Sequence, residues 1–139
     1  VSEITSELVL SSWELQIGNR WGIEQQKLRQ FPTFKFVGIS GTITAAEGAL
    51  ETQNSNTYAL RIELKNFPYE MPRIFPKDWT LHPFVPHTYS DGSLCIMKPS
   101  QWMRHYSVAI VIAKAAIWLA KYEIWKRNGH DWPGMEQRH

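Results

Sequence analysis

Residues 66–102, "NFPYEMPRIFPKDWTLHPFVPHTYSDGSLCIMKPSQW", contain six prolines and little hydrophobic periodicity. Proline fixes φ and removes a backbone donor, so regular structure is interrupted wherever it falls. A long irregular segment inside a compact domain is usually functional, and any chemistry is expected here. The strong periodic signals lie mostly on either side of it.

Upstream, residues 11–30 read as one helix, because Trp13, Ile17, Trp21, Leu28 and Phe31 recur at spacings of three, four or seven and so share a face. Gly18 and Gly22 each cost about 1 kcal/mol against alanine in a helix, and Phe31-Pro32 ends it. "TFKFVGI" and "GTITA" carry strand signals, whereas "EGALETQNSN" is turn-rich and expected to be exposed. "TYALRIELKNF" alternates cleanly, with Tyr58, Leu60, Ile62 and Leu64 on one face and Arg61, Glu63 and Lys65 on the other. A strand covered on one side only suits an antiparallel sheet with helices on one face. Downstream, a helix is expected from about Ser107 to Arg127, with Ser107 as N-cap and Asn128-Gly129 as the stop. Its first part is apolar all round, which predicts burial. The expected fold is α+β: an N-terminal helix, antiparallel strands, an irregular loop and a buried C-terminal helix.

A length of 139 residues fits one domain. We expect a core over about 13–127 and a polar tail over 128–139, anchored by Trp132 and packed on the body. A net charge of +2 without a Lys/Arg block gives no electrostatic case for nucleic acid. The longest apolar run, "VAIVIAKAAIWLA", is broken by Lys114 and too short for a bilayer. Glu3, Glu7 and Glu14 stand where a secretory leader needs an apolar run, and one cysteine forms neither an internal disulfide nor a CxxC metal pair. The expected compartment is the reducing cytoplasm, with no metal and no cofactor. His130, Asp131, Glu136 and His139 are metal-capable types, but in a polar tail they are expected to be solvated.

The single cysteine, Cys95, stands in "YSDGSLCIMKPSQW". The order helix, antiparallel strands, proline-rich crossing, one-cysteine loop, buried helix resembles the ubiquitin-conjugating enzyme fold, whose antiparallel meander has four strands. "YALRIELKNFPYEMPRIFP" is similar to that family's third strand and its "FPxxYPxxPP" segment, with Met71-Pro72 in place of Tyr-Pro. "DGSLCI" resembles the family's "NGSICL" around the active cysteine. Gln101-Trp102 before a long apolar helix matches the tryptophan and helix that come next in the family. The likeness runs from about residue 13 to 125. One departure stands out. The family carries His-Pro-Asn with the asparagine eight residues before the cysteine; here Val85-Pro86-His87 occupies that place. Divergent bacterial members vary at this point, and "WPGMEQRH" resembles the tail of such forms, some of which lie in anti-phage operons beside a cGAS-like nucleotidyltransferase.

The resemblance implies thioester transfer: Cys95 takes a protein C-terminal carboxyl group from an activating enzyme and passes it to an acceptor protein's amine. The transferred protein would be a ubiquitin-like protein or the nucleotidyltransferase, through its C-terminus. Thiolate is the reactive form, Asp91-Gly92 supplies a tight turn expected to bring Cys95 to the surface, and His87 would donate to the oxyanion or act as base. Asp131 and His105 are the candidates for activating the acceptor. Arg20, Lys27 and Arg29 form either an activating-enzyme surface or a solvated helix face. Trp102, Trp118 and Trp125 read as core aromatics, with Trp102 bracing the cysteine loop. The bland alternatives stand beside these. A lone cysteine is most often a buried, inert hydrophobe, His87 is equally suited to capping a turn, and His82-Pro83 is the rival register for the family's His-Pro. The rival function is a non-catalytic variant that binds ubiquitin-like proteins or a scaffold. A Cys-His hydrolase ranks third, because no residue orienting the histidine is apparent.

Overall fold

The computed structural model describes residues 5–134. Three short helices open the chain: α1 (Thr5–Leu8), α2 (Ser12–Ile17) and α3 (Arg20–Leu28). The single helix expected over 11–30 is therefore two. Ser11 and Glu14 form a reciprocal capping box that starts α2, Gly18 stops it in the left-handed region (φ 76), and the Asn19 side chain restarts the chain by accepting from Gly22 N. Local capping thus overrides the periodic signal. The break also removes Trp13 and Ile17 from the expected face: they are 72% and 52% exposed, whereas Leu28 is buried.

Four strands follow as an antiparallel meander in the order β1 (Lys35–Ile39), β2 (Thr42–Glu51), β3 (Thr57–Glu63), β4 (Arg73–Pro76). The α+β architecture is the one expected. β2, however, runs through residues read from sequence as turn-rich, pairing Glu47 with Arg61 and Glu51 with Thr57. Gly48 misleads here. A Cβ at this position would lie 2.4 Å from Phe34 Cγ, so the glycine makes room for a buried ring inside a strand. The turn itself is confined to residues 52–56. On β3 the alternation is realised, with Tyr58, Leu60 and Ile62 buried and Leu64 continuing the face.

The core lies between these strands and α4 (Val108–Arg127), where Leu60, Ile62 and Ile74 join Val108, Val111, Ile112, Ala115 and Leu119. Ser107 caps α4 as expected, its hydroxyl accepting from Ala109 N at 3.0 Å. The same hydroxyl donates to Glu24 (2.6 Å), which also accepts from Val108 N (2.9 Å) and Arg20 Nε (3.0 Å). Arg20 further donates to the carbonyls of Arg104 and Tyr106, and Lys27 is buried and ion-paired with Glu14. Two of the three basic residues expected on a docking or solvated face are thus engaged within the fold, and only Arg29 is exposed.

At the other end of α4, Glu123 accepts from Thr52, Asn54, Asn56 and Tyr58 at 2.8–2.9 Å, fastening the β2–β3 turn to the helix. Gly129 (φ 67) follows the helix in the left-handed region. Trp118 and Trp125 are buried, as expected. Trp102 donates to the Pro68 carbonyl at 2.8 Å and packs on Phe67 and Tyr106, so it braces the start of the proline-rich segment. Among the described residues no helix is long and apolar enough to cross a membrane. No group of three metal-capable side chains occurs among them either. Of the tail residues considered for a metal, Glu136 and His139 lie outside the described residues. His130 stacks on Trp125 with centroids 4.2 Å apart, and Asp131 is exposed.

Candidate active site

The cysteine loop folds as a miniature hairpin. Tyr89 N donates to Ser93 O (2.9 Å), Thr88 bridges Leu94, and Cys95 N donates to His87 O (2.9 Å). At the tip, the Asp91 carboxylate accepts from Ser93 N (2.9 Å) and Ser93 Oγ (2.6 Å), and Gly92 N returns to Tyr89 O. Partial burial alone would raise the Asp91 pKa, but the Ser93 hydrogen bonds and the Arg73 charge outweigh it and hold the carboxyl below its ordinary range. Gly92 has φ 90, and a Cβ added there would meet nothing within 4 Å, so backbone conformation alone demands glycine.

This ladder explains the eight-residue spacing: in a tight antiparallel hairpin His87 falls directly opposite Cys95. The hairpin is anchored on both sides. Leu94 N donates to Ile74 O of β4 (3.0 Å), and Trp118 Nε1 of α4 donates to His87 O (3.0 Å). His87 itself sits at φ 60, in the left-handed region where His, Asn and Asp are enriched among non-glycine residues. Its carbonyl, accepting from both Cys95 N and Trp118 Nε1, pins it there.

Cys95 lines a cavity of about 230 Å³ between the loop (His87, Ile96), α4 (Lys114, Ile117, Trp118, Lys121) and Trp132 of the tail. Cys95 is only 7% exposed, in contrast to the surface position expected from the Asp-Gly turn. The turn projects its own tip, Asp91 and Gly92, into solvent, while the paired strand behind it leans on α4. Trp132 packs on His87 (4.8 Å between centroids) and Trp118 (5.3 Å), so the described part of the tail closes one side of the cavity.

The tyrosine at the hairpin's first turn position was not singled out from sequence. Tyr89 OH donates to Met97 O at 2.8 Å and neighbours the Cys95 side chain. Burial first, then the proximity of Cys95, push its ionisation up to about 12, so it stays a neutral phenol at physiological pH. The Arg73 guanidinium lies over its ring at 4.8 Å. The signal was the register: in a hairpin pairing 87 with 95, residue 89 pairs with 93 on the same face.

The structure brings His87 and Cys95 to one cavity and puts Asp91 and Gly92 at the hairpin tip. It does not bring His105 or Asp131 there. His105 packs on Tyr106 and accepts from Leu10 N through its carbonyl, away from the cavity lining, and Asp131 is likewise absent from that lining. His82, the rival to His87, accepts from Phe84 N through Nδ1 and packs on Trp125 and His130. It is a turn-building residue.

Comparison with curated proteins finds no match. The family model for type II CBASS E2 proteins matches residues 24–139, which include the whole sheet, the cysteine hairpin and α4, and the chain belongs to that family.

Proposed function

We propose that the chain is an acyl carrier in anti-phage signalling. The Cys95 thiolate attacks the thioester carbonyl of an activated protein C-terminus; a new C–S bond forms and the activating enzyme's thiolate leaves. An acceptor amine then attacks the same carbonyl, giving an amide and returning the thiol. The observation that carries this reading is the pairing of Cys95 and His87 across one pinned hairpin at the wall of an open cavity, in a chain of this family.

Negative charge gathers on the carbonyl oxygen in both steps, and His87 would meet it with a ring N–H, or take the proton of the incoming amine. The partners implied are an activating enzyme, a ubiquitin-like protein or the C-terminus of a cGAS-like nucleotidyltransferase, and the acceptor. The test is incubation of the full chain with activating enzyme, ATP and candidate modifier. A thiol-reducible adduct is expected, lost in Cys95→Ala and converted to a thiol-resistant ester in Cys95→Ser. Tight association with a candidate but no adduct at Cys95 would favour a binding module instead.

A further inference from the structure

The cavity beside Cys95 has a one-sided polar character. Lys114 and Lys121 line it from α4, and neither has an ion pair or hydrogen bond among the described residues. Seven residues apart, they share a face and stand about 10.5 Å apart along the axis. Ile117 and Trp118 fill the apolar interval between them. No carboxylate lines the cavity among the described residues. What this space lacks is a negatively charged occupant.

Because a reactive sulfur is part of the wall, the natural occupant is the chain whose carboxyl group that sulfur carries. We infer that the cavity is a tail-binding subsite that selects C-terminal segments bearing an Asp or Glu side chain within the last few residues, the carboxylate meeting Lys114 or Lys121. The span between the lysines corresponds to about three extended residues at roughly 3.3–3.6 Å each, with an apolar side chain over Ile117. The inference rests on the acyl-carrier reading and names its substrate class.

Its test needs no activating enzyme. Two synthetic peptides, identical except for Glu or Gln two residues from the end, are made as C-terminal thioesters of a small thiol and offered to the full chain. Cys95 thiolate attacks the thioester carbonyl and the small thiolate leaves; loading is followed by intact mass. The Glu peptide is expected to load about two- to fivefold faster, the scale of one partly exposed ion pair. The difference should shrink as salt shortens the screening length. Lys114→Gln with Lys121→Gln should abolish the preference, and Lys114→Glu with Lys121→Glu should reverse it towards a Lys-bearing peptide. Equal loading of both peptides, or a preference that survives in these variants, overturns the subsite while leaving the acyl carrier standing. Conversion of the adduct to a thiol-resistant bond on Lys114 or Lys121 also overturns it, making the lysines acceptors. If neither peptide loads Cys95, the acyl-carrier reading falls, and the subsite with it.

Discussion

His87 combines two demands that few residues meet. Its backbone is left-handed (φ 60) and it lines the cavity that holds Cys95. Alanine meets neither demand well, being strained at positive φ and offering no donor. Asparagine meets both. His87→Ala is therefore expected to slow discharge of a preformed Cys95 thioester by about 10²–10³-fold, the usual cost of one oxyanion donor, with a smaller effect on loading. His87→Asn should recover most of the rate. Single-turnover discharge to a free amine measures both, and an alanine variant as fast as the parent would remove His87 from the mechanism. At this scale the sequence made the loop's motif legible and misjudged its depth, since Cys95 is buried rather than at the surface. The Asp-Gly turn and the cysteine were visible as a motif, but the docking of the hairpin on α4 involves Trp118 donating to the His87 carbonyl, a contact between residues 31 apart in the chain.

Among the elements, those with one dominant signal were legible and those with two competing signals were not. β3 alternates without interruption, and α4 has both its cap and its stop, so both lie where the pattern puts them. The first helix had a continuous apolar period but also Gly18 and a Ser-x-x-Glu box, and the caps prevailed. β2 was obscured by Gly48, a residue chosen for the ring of Phe34 rather than for a turn. β4 was hidden by its prolines, and only the family likeness gave reason to expect it. The tie between the β2–β3 turn and α4 could not be read at all, since Glu123 lies 65 residues or more from each of its four donors. Glu123→Ala leaves the buried Tyr58 hydroxyl without its acceptor and is expected to cost about 3 kcal/mol, lowering the denaturant midpoint with little change in slope. Hydrogen exchange should show the loss first in residues 52–56. An unaltered midpoint would mean that water replaces the carboxylate without penalty.

For the whole molecule, the two ends of α4 respond to acid in opposite directions. Burial, incompletely offset by hydrogen bonds from Ser107 and Val108 and by the Arg20 charge, holds the Glu24 carboxyl above its ordinary value of 4.5. The folded state thus favours the protonated form. Its contribution to stability is fully present below about 4.5 and is lost as pH rises through the raised folded value. For Glu123, burial is overcome by hydrogen bonds from Asn56, Tyr58, Asn54 and Thr52, and the pKa is lowered. Its contribution is present above about 4.5 and is lost as pH falls through the folded value. Thermal midpoints across pH should therefore decline more gently above 4.5 in Glu24→Gln, and more gently below it in Glu123→Gln. Parallel curves for all three chains would contradict both assignments. The recess around Cys95 has a further bearing on timing. On the acyl-carrier proposal, a thioester at so little exposed a residue, with Trp132 along one side of the cavity, would be sheltered from hydrolysis. The moment of delivery would then be set by the acceptor's arrival rather than by decay.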